Sequence, residues 1–312
     1  MRHILTSQQF DRECLERLFV DTHRMHVALE RGSVSDYRLL RYQEKSLFSV
    51  FYEPSTRTRF SFEAAAVRLG MSVVSTENAR EFSSTAKGET LEDTIKVLCG
   101  YRPSMIVLRH FQTGAAARAA RVSSVPIINA GDGAGQHPTQ ATLDIFTIQK
   151  EKGCIDGITV AIGGDLAHGR TARSLAYLLG KFNGVHLIFI APRRLRMGDD
   201  IKEYLIRHKV CFEEADRPFP ALRKADVVYW TRPQRERMTF TRRLLMRTSA
   251  FRLGVKELER LPSDTIILHP LPRTGELPSE IDKDPRAAYF RQAAYGLPLR
   301  MALISWVMDG GY

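Results

Sequence analysis

A chain of 312 residues with 44% hydrophobic and 26% charged side chains has the composition of a globular protein, and length enough for two domains. No apolar run approaches the ~18 residues that cross a bilayer, and the opening Met1-Arg2-His3-Ile4-Leu5-Thr6-Ser7-Gln8-Gln9 turns polar too early for a secretory signal, so a cytoplasmic protein is expected. The formal charge of +11, from 46 Lys and Arg against 35 Asp and Glu, favours anionic partners; without a dense basic tract carrying aromatics, neither nucleic acid nor membrane is expected among them.

In chain order, residues 7–31 read as an amphipathic, highly charged helix. The apolar run at 47–51 reads as a buried strand. After Glu53-Pro54-Ser55 the period becomes helical, with Phe62, Ala65, Ala66 and Leu69 on one face and Gly70 as the stop. Further strands are expected at 71–75, 105–108, 126–129, 158–162, 185–190, 227–230 and 265–268. Helical patterns separate many of them, among them 171–182 with Leu175, Leu178, Leu179 and Phe182 as its apolar face. Alternation of this kind predicts an α/β protein of two doubly wound domains, each a mainly parallel sheet flanked by helices. Gly131, Gly133 and Gly135 interrupt the pattern near 131–137, which places the domains at 1–136 and 137–290. A last helix, about 298–308 within the segment 291–312, would pack back on the first domain.

Cys14, Cys99, Cys154 and Cys211 lie far apart with no C-x-x-C pair, the spacing of reduced structural thiols. His23 and His26 are three apart on the first helix, but no second ligand pair accompanies them, so no metal is expected. Gly163-Gly164-Asp165 lacks the G-x-G-x-x-G spacing of a dinucleotide turn.

Ligands of open α/β sheets bind beyond the carboxyl ends of the strands, and the polar residues of this sequence gather there. Successive strand ends carry Glu53 through Arg59, Arg109-His110, His137-Pro138-Thr139-Gln140, Gly163-Gly164-Asp165 with Arg170, Thr231-Arg232 with Gln234, and His269-Pro270-Leu271-Pro272-Arg273. At a helix start, Ser55, Thr56, Arg57 and Thr58 would set hydroxyls and a guanidinium fork beside free amides, which suits a phosphate. The same residues also read as an ordinary helix cap with exposed arginines. His137, just ahead of a helix that opens on Pro138, can donate to a carbonyl oxygen at the ligand end of the sheet, or can be a surface histidine beside a capped helix.

Seven ordered stretches from about residue 45 to 305 resemble the aspartate/ornithine carbamoyltransferase family, most closely its aspartate branch. They are Phe51-Tyr52-Glu53-Pro54-Ser55-Thr56-Arg57-Thr58-Arg59, Lys87-Gly88-Glu89-Thr90-Leu91, Asn129-Ala130-Gly131-Asp132-Gly133, and His137-Pro138-Thr139-Gln140. Gly164-Asp165-Leu166 through Gly169-Arg170-Thr171, Thr231-Arg232 with Gln234, and His269-Pro270-Leu271-Pro272-Arg273 complete the set. The resemblance implies two α/β domains with the active site in the cleft between them, in a homotrimer whose sites are shared between subunits. It implies carbamoyl phosphate and L-aspartate as substrates in pyrimidine biosynthesis, with no cofactor, and regulatory chains or a dihydroorotase as conceivable partners.

By the same resemblance, Ser55, Thr56, Arg57 and Thr58 would hold the phosphate. Thr58, Arg109 and His137 would bond the carbonyl oxygen, and Gln140 and the Leu271 carbonyl, next to Pro272, the carbamoyl NH2. Arg170, Thr171, Arg232 and Gln234 would hold aspartate, while Ser83 and Lys87 would reach in from a neighbouring subunit. Glu53, Arg170 and Arg237 would form ion pairs on domain closure. The ornithine branch carries D-x-x-x-S-M-G and H-C-L-P where this chain has Thr231-Arg232-Pro233-Gln234 and His269-Pro270-Leu271-Pro272; an arginine there suits a dicarboxylate and repels a cationic acceptor. Phe111, Ala167, Arg173 and Gly275 depart from the family's usual proline, basic residue, histidine and acid, which bears on closure and regulation. The rival readings are a non-catalytic binding module of this fold and a carbamoyltransferase for another amino acid.

Overall fold

The computed structural model describes residues 3–32, 40–234 and 252–311. The chain divides into two compact units, Met1–Thr139 with Ala294–Tyr312, and Gln140–Ala293.

Unit 1 opens with α1 (Arg12–Glu30), where Asp11 accepts from the Cys14 amide and Leu15, Leu18, Phe19 and Thr22 form the buried stripe. Then follow β1 (Ser46–Phe51), α2 (Thr56–Arg68), β2 (Ser72–Thr76), α3 (Ala79–Phe82), α4 (Leu91–Gly100), β3 (Met105–His110), α5 (Ala115–Val122) and β4 (Ile127–Asp132). The sheet order is β2-β1-β3-β4, with every neighbouring pair parallel. Phe48, Val50, Ile95, Ile106, Leu108 and Ile127 share one core cluster. The N-terminal segment bridges to β4 through Ile4 and Ile128, and the Asn129 side chain donates to the Leu5 carbonyl.

Unit 2 contains most of α6 (Pro138–Lys152), then β5 (Thr159–Gly163), α7 (Arg170–Leu179), β6 (His186–Ile190), α8 (Asp199–Arg207), β7 (Cys211–Ala215), β8 (Val227–Trp230), α9 (Val255–Leu258) and β9 (Ile266–Leu268). Its sheet, also parallel, runs β7-β6-β5-β8-β9. Ile188, Val228, Trp230, Ile267 and Tyr289 lie in its core. The final helix, α10 (Tyr289–Met308), begins in unit 2 and ends in unit 1.

Several sequence expectations need correction. β7 was not foreseen because Glu213 and Glu214 break its apolar run; an edge strand, paired only with β6, tolerates such charges. β3 runs through Arg109 and His110 rather than stopping before them, since its ladder continues from Phe51↔Arg109 to His110↔Asp132. The helix expected over 171–182 ends at Leu179, and Phe182 is buried beyond it. α10 starts at Tyr289, well ahead of the expected 298, and Pro298 lies inside it. An interior proline costs roughly 3 kcal/mol; burial of Leu299, Met301, Leu303 and Ile304 behind it offsets that loss. Among the described residues, no helix is long and apolar enough to cross a membrane.

Candidate active site

A parallel sheet opens a crevice where its strand order reverses. In unit 1 that point lies between β1 and β3, whose order is β2-β1-β3-β4. Beyond β1 stands the Ser55–Thr58 turn, and the last residues of β3 are Arg109 and His110. The ladder places them side by side: the Tyr52 amide donates to the Arg109 carbonyl at 2.8 Å, and Arg109 Nε lies 3.6 Å from Glu53. Arg109 also donates to the Ala130 carbonyl on β4, which fixes its guanidinium over the neighbouring strand end.

Ser55 is the N-cap of α2, yet its hydroxyl makes no capping bond. A serine capping its own helix would occupy one of the first amides; this one leaves hydroxyl and amides for an outside acceptor. Thr56 and Arg57 are exposed at the same turn, while Thr58 is buried.

His137 is buried, with Nδ1 3.4 Å from the Thr139 hydroxyl. The turn before it hangs on Asp132, whose carboxylate accepts from the amides of Gly114 and Gln136. Gly133 donates to the His110 carbonyl at a φ of +49°, and a Cβ there would stand 2.6 Å from the Phe111 carbonyl oxygen. Only glycine lets this turn close on β3. His110 accepts the Gln112 amide on Nδ1 and packs between Tyr52 and Phe111, at 4.6 and 4.3 Å between ring centroids. Burial, with Arg118 adding to it, pushes this imidazole down to about 4, so it is neutral near pH 7. Phe111, one of the departures from the family pattern, forms one side of that stack.

Ser83 and Lys87 stand elsewhere in unit 1, after the edge strand β2. The Ser83 hydroxyl donates to the Ala79 carbonyl and accepts the Thr85 amide, while Lys87 is exposed. Among the described residues, no hydrogen bond or ion pair joins them to Ser55–Thr58 or Arg109. Arg237 lies outside the described residues.

In unit 2 the order reverses between β5 and β8. Beyond β5 come Arg170 and Thr171 at the start of α7, Arg170 only 5% exposed; beyond β8 come Arg232 and Gln234, both half-buried. Asp165 joins the two turns, a part that its place at the Gly163-Gly164-Asp165 strand end did not reveal. It is fully buried, its Oδ1 meets the His168 amide and ring, and its Oδ2 accepts the Gln234 amide at 3.0 Å. The β5 and β8 ends touch backbone to backbone: Thr231 donates to the Gly163 carbonyl, and a Cβ on Gly163 would stand 2.1 Å from the Trp230 ring. Arg232 donates to the Pro233 carbonyl and Gln234 to the Arg232 carbonyl, so the turn is internally braced.

The segment after β9 carries Leu271 and Pro272, joined by a cis peptide. Buried His269 holds it, accepting the Leu271 amide on Nδ1 at 2.8 Å, with Nε2 2.9 Å from Glu276. Burial pushes the Glu276 carboxyl up, but hydrogen bonds from His269 and the backbone outweigh it and hold the group below its ordinary range. Gly275, where the family usually has an acid, has a φ of +113° and nothing near its would-be Cβ. Arg173 pairs with Asp200. Among the described residues there is no group of three metal-ligating side chains.

Each sheet thus sets arginines and hydroxyl or amide groups at its own crevice. That is the build of a two-domain α/β transferase for small anionic substrates. A model of the aspartate/ornithine carbamoyltransferase carbamoyl-P binding domain matches residues 2–150, and one of the Asp/Orn binding domain matches 156–307. The chain belongs to the aspartate/ornithine carbamoyltransferase family. It is 50% identical to a chloroplastic aspartate carbamoyltransferase of Oryza sativa subsp. japonica, over 98% of this chain and 85% of that one. Among solved structures it resembles the catalytic subunit of M. jannaschii aspartate transcarbamoylase, with a TM-score of 0.89 and 40% identity over 99% of both chains. It also resembles Trypanosoma cruzi aspartate transcarbamoylase in complex with N-(phosphonacetyl)-L-aspartic acid, with a TM-score of 0.91 and 39% identity over 97% of this chain and 94% of that one.

Proposed function

We propose that this chain is an enzyme that transfers the carbamoyl group of carbamoyl phosphate to the amino group of L-aspartate, giving N-carbamoyl-L-aspartate and phosphate. One observation carries the reading: Ser55–Thr58 with Arg109 flank the crevice of one sheet, and Arg170 with Arg232 flank that of the other.

The α2 start and Arg57 bind the phosphate of carbamoyl phosphate, which leaves as an anion that cationic groups stabilise. Attack of the amine on the carbamoyl carbon builds negative charge on its oxygen. The Thr58 hydroxyl, Arg109 and His137 donate to that oxygen, each preformed donor being worth ~3–4 kcal/mol in the transition state. Gln140 and the Leu271 carbonyl, beside Pro272, accept from the carbamoyl NH2. Arg170 and Arg232 grip the two aspartate carboxylates, with Thr171 and Gln234 beside them. Ser83 and Lys87 serve a neighbouring subunit of a homotrimer. The exposure of Phe60, Val67, Val74 and Phe82 on α2, β2 and α3 supports such association. The attacking amine must be neutral, and the departing phosphate takes its proton. Cytoplasmic residence also belongs to this reading; the four free thiols fit a reducing compartment.

The test is phosphate release from carbamoyl phosphate with aspartate or ornithine as acceptor, run side by side, with chain mass by light scattering. Release that depends on aspartate, from a trimer, is expected; release that depends on ornithine alone would assign the chain to the other branch.

A further inference from the structure

The acceptors assigned to the carbamoyl NH2, Gln140 and Leu271, both trace back within unit 2 to one fully buried carboxylate. Asp144 lies one helical turn after Gln140 on α6 and is 0% exposed. Its Oδ1 accepts from Gln140 Nε2 at 2.7 Å and from Gln292 Nε2 at 2.6 Å; its Oδ2 accepts from the Tyr229 hydroxyl at 2.8 Å. Gln292, 1% exposed, turns its own oxygen to the His269 amide at 3.0 Å. His269 in turn accepts the Leu271 amide.

Asp144 accepts on both of its oxygens, and a carboxylate acting as acceptor decides which way round each amide sits. Both glutamines must present NH2 to Asp144. Gln292 therefore has only its carbonyl oxygen to offer His269, which braces the segment carrying Leu271. Gln140 likewise has its carbonyl oxygen turned away from Asp144, and among the described residues that oxygen accepts no hydrogen bond. We infer that Asp144 is a positioning residue that makes Gln140 and the Leu271 segment acceptors for an amino group, and so selects carbamoyl phosphate over acyl phosphates lacking one. The inference rests on the carbamoyl-transfer reading and deepens it.

Burial and the negative charge beside it push the Tyr229 hydroxyl well above its ordinary range, so it remains a donor to Asp144. With donors on both of its oxygens, the buried carboxylate is held from either side. A neutral asparagine in its place has an NH2 of its own. It can draw the Gln140 oxygen toward itself and turn the Gln140 NH2 to the substrate, where two donors would face each other.

The experiment compares carbamoyl phosphate with acetyl phosphate, which carries a methyl in place of the amino group, on the purified full chain. KM for carbamoyl phosphate and the inhibition constant of acetyl phosphate are measured for wild type and Asp144→Asn. The expected result is a rise of about tenfold in the carbamoyl phosphate KM with acetyl phosphate affinity changed less than about twofold, because only the amino group loses its acceptors. A folded Asp144→Asn that keeps the wild-type preference, or weakens both ligands equally, overturns the inference. Gln292→Leu, which removes the link to His269 together with one donor to Asp144 but leaves the Gln140–Asp144 bond, decides the matter if Asp144→Asn does not fold: a preference reduced about threefold supports the role, and an unchanged one overturns it. A wild-type chain that binds no carbamoyl phosphate overturns the underlying reading instead.

Discussion

Gly164→Ala gives the most direct probe of how unit 2 is built. Gly164 has a φ of +112°, and an added Cβ would stand 2.1 Å from the Thr231 carbonyl oxygen and 2.6 Å from its hydroxyl. Two costs follow. The backbone conformation is one that side chains other than glycine rarely hold, worth about 1–3 kcal/mol. The clash is with main chain of the adjacent strand end, which cannot rotate aside, and overpacking adds about 1–3 kcal/mol more. The sum is about 4 kcal/mol, or roughly 10 °C in melting temperature for a unit of about 150 residues.

Gly153→Ala serves as the control, because its φ is +80° but nothing lies within 4 Å of the new Cβ; it should show the backbone cost alone, about 1–2 kcal/mol. Denaturant unfolding of the full chain reads both. Relief of the clash would also displace Thr231 and the Arg232 turn, so KM for aspartate should rise more than KM for carbamoyl phosphate. A Gly164→Ala chain within about 1 kcal/mol of Gly153→Ala would refute the close approach of β5 and β8.

Arg232→Ala should raise the aspartate KM by about 100-fold, the loss of a charge-assisted hydrogen bond of ~3 kcal/mol, while carbamoyl phosphate binding by calorimetry stays within about twofold; equal loss of both would mean the residue is misassigned. His110 makes a pH signature. Its folded pKa of about 4 lies below the free value of 6.5, so the unfolded chain binds the extra proton between them. Stability is full above pH 6.5 and declines as the pH falls toward 4, by on the order of 3 kcal/mol before solvent screening reduces it. A His110→Gln variant should lack that decline, and one showing the same slope in urea titrations would place its origin elsewhere.

The sequence displays the chemistry of this protein more openly than its scaffolding. Ser55–Thr58, Arg109, Arg170 and Arg232 were singled out because strand ends collect ligands, and a run of apolar residues marks a strand end well. The apolar period also placed β1, β8 and α2 within a residue or so. β7 escaped because an edge strand can be polar, and the start of α10 escaped because Pro298 reads as a helix start when it lies inside one. The buried acids Asp132, Asp144, Asp165 and Glu276 were passed over as site components for one physical reason. Each acts on a neighbour's amide or side chain, and most of their partners are set by the fold, as with Asp144 and Gln292. A glycine beside Asp132 and Asp165 was the available signal, since an acid at a tight turn commonly accepts backbone amides.

Carbamoyl transfer carries the carbamoyl carbon from phosphate to the aspartate nitrogen. Carbon-13-labelled carbamoyl phosphate, mixed with aspartate and the purified chain and followed by carbon NMR, tests it without inference from rates. This transfer places the label in the ureido carbon of N-carbamoyl-L-aspartate, with one phosphate released for each. Phosphate released at the same rate with no aspartate present, or aspartate left unlabelled, would contradict it.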